Sequence, residues 1–173
     1  MYLVGDNIVG ASQLEDRFDT HVPEGARLHM PQHLSRLRSL THLIFITATY
    51  GWQSCYQICM LTNLQKLALI VAGNYNIGHA FEALVQLKHL FLGAGRQGCL
   101  ELSLEWRALQ VLTSFSIISS FTCNANILEL LELQHFQCFH FTSAPIADSL
   151  SNALLETLIN RLLAAGKIVD IAS

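Results

Sequence analysis

The residues best suited to chemistry lie in the segment "LQHFQCFHF", which contains His135, Cys138 and His140. Imidazole nitrogens and thiolates are ligands that Zn²⁺ prefers, so the segment raises the hypothesis of a metal-dependent enzyme. In a strand, side chains two positions apart share a face, which brings Cys138 and His140 together and leaves His135 on the other side. A closed zinc site requires four ligands. We therefore interpret the segment as ordinary surface and predict no metal site.

Other motifs of catalysis or cofactor binding are missing from the sequence. It contains no GxSxG, no GxxxxGK[ST] and no HExxH. The segment "GAGRQG", Gly93 to Gly98, has the glycine spacing of a dinucleotide loop, but it follows a repeat strand, and we interpret it as the tight exit from that strand. The sequence thus predicts a protein that is not an enzyme, with no catalytic residue and no cofactor.

Composition narrows the class of protein further. The 173 residues are 51% apolar and 13% charged, which predicts one folded domain. A net charge of −3, spread along the chain, predicts no basic patch and no nucleic-acid partner. No run approaches the roughly 20 apolar residues of a membrane-spanning helix. The early charges of "MYLVGDNIVGASQLEDRF" disfavour a signal peptide, and five cysteines without a CxxC pair favour reduced thiols. We expect a cytoplasmic protein, with the nucleus as the alternative.

Large apolar residues recur in a fixed pattern along most of the chain. They occupy offsets 0, 3, 6, 9 and 11, and all 25 of these positions hold Leu, Ile, Phe or Trp. The five copies start at Leu34, Ile58, Phe81, Trp106 and Leu130. Four further matches in phase with the first have a chance probability on the order of 10⁻⁴. A helix repeats every three or four residues and a strand every two, so the change of step predicts a chain that winds into a short strand.

The pattern LxxLxxLxL at this period resembles the leucine-rich repeat family. Resemblance implies an α/β solenoid, in which each repeat adds one strand to a curved parallel sheet on the concave side and returns by helices or turns on the convex side. "LTNLQKLAL" and "MPQHLSRLRSLTHL" are closest in wording to the arrays of plant disease-resistance proteins of the nucleotide-binding type. The family places Asn or Cys three residues after the last leucine, whereas this chain has small residues there.

The repeats divide the chain into three parts. Residues 1–33 form an irregular N-terminal unit, 34–141 form five repeats, and 142–173 form a helix with a terminal strand, all in one domain of residues 1–173. The weak ends favour a piece of a longer array. The helix follows a capping Asp148 and precedes Gly166, and its leucines recur every four positions at Leu150, Leu154, Leu158 and Leu162. The terminal strand is predicted from Val169 and Ile171.

The convex segments are predicted as turns, several of them helical. Trp52 to Cys59 and Phe81 to Leu87 each place apolar residues on one helical face. A third helical face is predicted from Leu100, Leu104 and Leu109. Asn124 or Asn126 is expected to cap the turn that begins "ANILELLEL".

The strand residues between the inward leucines are the candidate binding site. Alternation places them on the concave face, where like positions of neighbouring strands form columns. The twelve candidates are His42, Ile44, Ile46, Lys66, Ala68, Ile70, His89, Phe91, Ser114, Ser116, Ile118 and His140. The apolar members are expected to form an exposed stripe with Phe91 as its anchor, edged by Lys66, His42 and His89. The alternative is that these strands are hydrophobic only because the coil is tight or its register irregular.

These observations predict a non-catalytic recognition module. The partner would be a protein or a neighbouring domain of the same polypeptide, docked on the concave face. Resemblance to the plant family implies a role in immune signalling. The alternative within the same class is the substrate-recognition part of a ubiquitin-ligase adaptor, which would require an F-box-like segment that residues 1–33 do not supply.

Overall fold

The computed structural model describes residues 34–47, 52–71, 73–77, 79–94, 98–142 and 148–172. The predicted N-terminal unit, residues 1–33, lies outside the described residues. The remainder is a coil of parallel strands and short helices. Its strands are β1 (His42–Thr47), β2 (Lys66–Val71), β3 (Tyr75–Ile77), β4 (His89–Ala94), β5 (Cys99–Leu102), β6 (Ser114–Ile117), β7 (Ser120–Cys123), β8 (Cys138–Thr142) and β9 (Ile168–Ala172). Its α-helices are α1 (Trp52–Cys59) and α2 (Ser149–Ala164), and 3₁₀ helices span Leu34–Arg36, His79–Ala83, Trp106–Ala108 and Ala125–Glu132.

One six-stranded parallel sheet contains every strand that the repeat pattern predicted. Its order is β1-β2-β4-β6-β8-β9, so each turn of the coil adds the next strand. Like positions pair across the sheet, as Leu67 with Leu90 and Leu90 with Phe115. The two-residue step of the repeat is therefore the strand, as predicted. The terminal strand is also confirmed, because Val169 pairs with Phe139 in the same register.

The three-residue steps are explained by backbone hydrogen bonds that join one leucine-type residue to the next. In the second repeat the N–H of Leu61 donates to the carbonyl of Ile58, and that of Leu64 donates to Leu61, both at 2.9 Å. The third and fourth repeats contain the same two bonds, at Leu84 and Leu87 and at Leu109 and Leu112. Bonds from i to i−3 define 3₁₀ geometry, which stacks residues three apart on one side of the backbone. The chain thus turns the same side inward until the strand begins.

A second parallel sheet, of β3, β5 and β7, lies on another side of the coil and was not predicted. The sequence pattern predicted that Leu100 shares a helical face with Leu104 and Leu109. That prediction is wrong, because Leu100 lies in β5, Leu104 lies between β5 and the 3₁₀ helix Trp106–Ala108, and Leu109 follows that helix. Leu100 and Leu102 are buried while Glu101 between them is exposed, so this segment alternates as a strand does. The predicted helix at Trp52–Cys59 forms as an α-helix. The helical segment predicted from Phe81 to Leu87 is observed as a 3₁₀ helix at His79–Ala83, which overlaps the prediction only over residues 81–83.

The two sheets and the helices enclose one hydrophobic core. Of the 25 repeat positions, only Leu37, Leu40 and Phe45 fall outside the buried set, and all three belong to the first repeat. In the described residues β1 pairs on one side only, which leaves the first repeat less covered than the others. Aromatic residues replace leucines in the later turns. Phe115 lies 4.7 Å from Trp106 and 5.6 Å from Phe139 between ring centroids.

Helix α2 packs beside β7, the last strand of the small sheet. Asp148 caps the helix as predicted, since its carboxylate accepts from the Ser151 N–H at 2.7 Å. The Ser151 hydroxyl accepts from the Cys123 N–H at 2.9 Å and donates to Asp148 at 2.7 Å. Ser151 is fully buried and supplies the hydrogen bond that a further strand would otherwise make to β7. Burial raises the pKa of the Cys123 thiol, so that side chain packs as a small neutral group.

The buried side of α2 differs from the leucine stripe in the sequence. Steps of four residues advance 400° around a helix, so the stripe drifts by about 40° at each step. Leu150 is consequently 66% exposed. The buried residues of the helix are Ser151, Leu155, Leu158 and Leu162.

Candidate functional site

The predicted columns exist on the outer face of the six-stranded sheet, defined here as the side opposite the core. The column nearest the strand starts joins His42, Lys66, His89, Ser114 and Cys138. The middle column joins Ile44, Ala68, Phe91, Ser116 and His140, and it continues to Asp170. The third column joins Ile46, Ile70 and Gly93, and Ile118 follows directly after β6. All twelve candidate positions therefore align in these three columns.

The apolar stripe on this face is largely buried, which corrects the prediction that it is exposed. Phe91 is 6% exposed, and Ala68 and Ile70 are 8% exposed. The partly buried Ile44 and Ile118 pack against these three residues. This second hydrophobic cluster is separate from the main core. Phe91 is thus a packed residue of the sheet and not a projecting anchor, although Ile44 and Ile118 keep part of their surface accessible.

Small residues explain how the stripe becomes buried. In the middle column Ala68 separates Ile44 from Phe91, so each larger side chain has room beside it. A Cβ built on Gly93 would lie 3.1 Å from Ile118 Cγ1 and 3.4 Å from Ile70 Cγ1. The two isoleucines therefore close over the glycine from opposite sides. Lateral packing of this kind removes apolar surface from water without any second layer.

The strand-start column carries the polar edge that the sequence predicted. The Thr41 hydroxyl oxygen lies 2.8 Å from Nδ1 of His42, and the Ser114 hydroxyl oxygen lies 2.9 Å from Nδ1 of His89. Burial lowers the pKa of His89 below its ordinary value of 6.5, and the positive charges of Lys66, Lys88 and His42 lower it further. Lys88 was not among the predicted site residues. It precedes the strand by one residue and is exposed.

The far end of the face has different chemistry. Nδ1 of His140 lies 3.2 Å from a carboxylate oxygen of Asp170, and both side chains are partly or largely exposed. Asp170 was not among the predicted site residues, because only the pairing of β8 with β9 places it beside His140. His135 lies in the turn before β8 and is exposed. Within the described part of the chain, no three His, Cys, Asp or Glu side chains form a group that could hold a metal ion.

Comparison with known proteins identifies the architecture. A search of solved structures finds internalin C2 from Listeria monocytogenes strain 4b F2365, a leucine-rich-repeat protein, with 18% sequence identity and a TM-score of 0.53. The match covers 84% of this chain and 57% of that chain. The chain has the fold of a leucine-rich-repeat solenoid. It spans little more than half the length of internalin C2.

Sequence comparisons add nothing to that structural likeness. No protein-family model and no curated protein matches the chain. The solenoid fold makes the six-stranded sheet its concave side, which is the side that carries the candidate residues. Among the described residues, no helix is both long and apolar enough to cross a membrane.

Proposed function

We propose that the protein is a non-catalytic recognition module that binds a protein partner, or a neighbouring domain of a longer polypeptide, on the outer face of the six-stranded sheet. The observation that carries the proposal is the register of this face. Six consecutive strands present aligned side chains, and the partly buried Ile44 and Ile118 extend the apolar cluster to the surface. A surface of this kind suits an extended or convex partner, which gains contacts from several repeats at once.

Site-specific photo-cross-linking tests this proposal. A benzoylphenylalanine at Ser116, in the middle of the outer face, should yield a discrete adduct in the cells that make the protein. The same group at Glu101, in the middle strand of the small sheet, is the matched control because Glu101 is exposed and also lies in a strand. We expect an adduct from Ser116 and none from Glu101. Equal adducts from both positions, or an adduct from Glu101 alone, would show that the outer face is not the binding site.

A role in plant-type immune signalling is a narrower proposal. It is supported by the wording of "LTNLQKLAL" and "MPQHLSRLRSLTHL" alone. The adduct from Ser116 would also decide this point, since a nucleotide-binding domain as partner supports the immune role. A ubiquitin-ligase component in the adduct would favour the adaptor role instead.

We also propose that the protein acts in the cytoplasm or nucleus. Cys59, Cys99, Cys123 and Cys138 are free thiols. Free thiols are the usual state of cysteine in a reducing compartment. A fluorescent fusion that accumulates in a secretory compartment would contradict this placement.

A further inference from the structure

The strand starts of the six-stranded sheet carry no acidic side chain. Two adjacent columns of residues form this border, and backbone bonds hold the first of them together. The N–H of Gln65 donates to Thr41, that of Lys88 to Gln65, and that of Thr113 to Lys88, each at 2.8 Å. Neither this column nor the one that begins at His42 contains Asp or Glu between β1 and β9.

Acidic residues lie elsewhere on the described part of the coil. Seven of them are in the small sheet, the helices and their flanking turns: Glu82, Glu101, Glu105, Glu129, Glu132, Asp148 and Glu156. The eighth, Asp170, lies in the last strand and contacts His140. The described part of the coil therefore keeps its acidic residues away from the strand starts, and the net charge of the whole chain is only −3.

Four positively charged or protonatable residues gather on three adjacent strands at this border. We call His42, Lys66, Lys88 and His89 the basic rim. His42 pairs with Lys66 and Lys66 with His89 across the sheet, and Lys88 precedes His89. The three other rim residues all lower the pKa of His89 after burial does, which places them within electrostatic reach of its ring. The salt bridges of the described residues join Arg107 to Glu129 and Glu132, and His140 to Asp170, so none includes the rim.

The two rim histidines are held in defined orientations. Nδ1 of His42 is within hydrogen-bond distance of Thr41, and Nδ1 of His89 is within hydrogen-bond distance of Ser114. When the hydroxyl donates to Nδ1, the proton of a neutral ring lies on Nε2, which is then a donor. Protonation makes both nitrogens donors. In either state the rim offers donors and positive charge and no acceptor of opposite charge.

We propose that the partner of the outer face docks through an acidic segment, with two or more carboxylates on the basic rim. This inference rests on the proposed function and specifies the chemistry of the partner. Positive charges on adjacent strands repel one another. A carboxylate of the partner would offset that repulsion, because its negative charge is attracted to each rim residue. Beside the rim lies the apolar cluster with the accessible part of Ile44. The matching partner therefore carries acidic and apolar side chains together.

The extent of the rim favours a protein partner over a nucleic acid. Three strands span about 10 Å from the first to the third, because neighbouring strands lie about 4.8 Å apart. Beyond His89 the border is neutral at Ser114 and Cys138, and a further positive charge follows only at Lys167, directly before β9. A nucleic-acid backbone carries regular charge along its whole length and gains affinity from many phosphate contacts. The rim provides positive charge over only half of the sheet.

The first test uses a synthetic peptide of alternating Glu and Leu as the probe, with fluorescence anisotropy against the whole chain. Lys88→Glu should weaken binding by about tenfold, because it reverses an exposed charge at the rim. Arg161→Glu is the matched control, since Arg161 is exposed on α2 and the change in net charge is the same. We expect that control to bind within about twofold of the original chain, and a Lys and Leu peptide to bind far more weakly.

Three results of this first test would overturn the inference. The first is an equal loss of affinity in both variants, and the second is equal binding of the Lys and Leu peptide. The third is rim-dependent binding of a single-stranded oligonucleotide more tightly than of the acidic peptide. Thermal unfolding of each variant shows that the fold is retained, and Lys88→Gln provides a milder second substitution.

The second test separates this inference from the proposed function. The adduct from benzoylphenylalanine at Ser116 is measured in combination with Lys88→Glu and, separately, with Arg161→Glu. We expect the adduct yield to fall about tenfold with Lys88→Glu and to stay unchanged with Arg161→Glu. An adduct that forms equally well with Lys88→Glu would overturn the acidic partner and retain the binding face. Absence of any adduct from the original chain would instead overturn the proposed function.

Discussion

Gly98 fills a position between two turns of the coil where no other residue fits. A Cβ on Gly98 would lie 2.5 Å from the carbonyl oxygen of Gly73 and 2.8 Å from the Cβ of Ala94. Because backbone cannot move aside cheaply, we expect Gly98→Ala to lower the free energy of unfolding by about 1–3 kcal/mol. Gly93→Ala is the control, since its closest new contact is the flexible side chain of Ile118. Urea unfolding that ranks Gly93→Ala as the more harmful change would contradict this reading.

His89 should make stability depend on pH. Its pKa is lowered in the folded state, first by burial and then by Lys66, Lys88 and His42, so the unfolded chain binds its proton more readily. The contribution of His89 to stability is therefore fully present when the pH is above 6.5, the ordinary pKa of histidine. It is lost as the pH falls from 6.5 through the lower pKa of the folded state. We expect an NMR titration to place the His89 midpoint below 6.5, and Lys66→Gln to raise it. Arg161→Gln is the control for the loss of one positive charge. If the His89 midpoint is the same in Lys66→Gln as in Arg161→Gln, the charge of Lys66 does not lower the His89 pKa.

Phe91 shows which residue-scale property the sequence does not reveal. Its place in the middle column followed from the repeat, and the register confirms it. Its burial depends on Ala68 in the preceding repeat and on the approach of Ile70 and Ile118 over Gly93, which are contacts between residues about one repeat apart. A pattern within one repeat contains no information about such lateral packing. For this reason Ser116 and Lys88 are better probes of binding than Phe91.

At the scale of elements, Ser151 connects α2 to the small sheet through one buried hydroxyl. Ser151→Ala removes the acceptor for the Cys123 N–H and leaves that buried donor unpaired. We expect the free energy of unfolding to fall by about 1–3 kcal/mol. Ser149→Ala is the control, because Ser149 is exposed at the start of the same helix. Hydrogen exchange should show faster exchange at Cys123 only in the Ser151 variant; unchanged protection there would contradict the connection.

The elements differ in how well the sequence predicted them. The strands of the large sheet and helix α2 were predicted because each has several large residues at fixed spacing. The small sheet was not, because β3, β5 and β7 have only three or four residues and so show at most two alternations. The 3₁₀ segments were expected as helical turns, and their three-residue step is the expected spacing of that helix. In the basic rim, His42, Lys66 and His89 were predicted from the phase of the repeat, whereas Lys88 was not, because it lies one residue before its strand.

At the scale of the whole molecule, the cost of a core substitution should depend on its turn of the coil. Leu69 and Ile171 occupy the same inward column, at 1% and 54% exposed. Leu69→Ala should lower the free energy of unfolding by about 2–5 kcal/mol, because it leaves a cavity between two neighbouring strands. Ile171→Ala should change it by less than about 1 kcal/mol, because β9 pairs on one side only in the described residues. Chemical unfolding that gives equal losses would contradict a coil stabilised by contacts between adjacent turns.

Parallel order in the large sheet also determines how the molecule would respond to force. Each strand bonds only to the strands of the preceding and following turns, so a pull on the C-terminus first loads the bonds between β9 and β8. Once those bonds break, the load passes to the bonds between β8 and β6, and the process repeats at the next turn. Each later step releases one repeat of about 24 residues, or about 80 Å of extended chain. Under tension the coil should therefore lengthen in a series of similar steps, one for each repeat that unfolds.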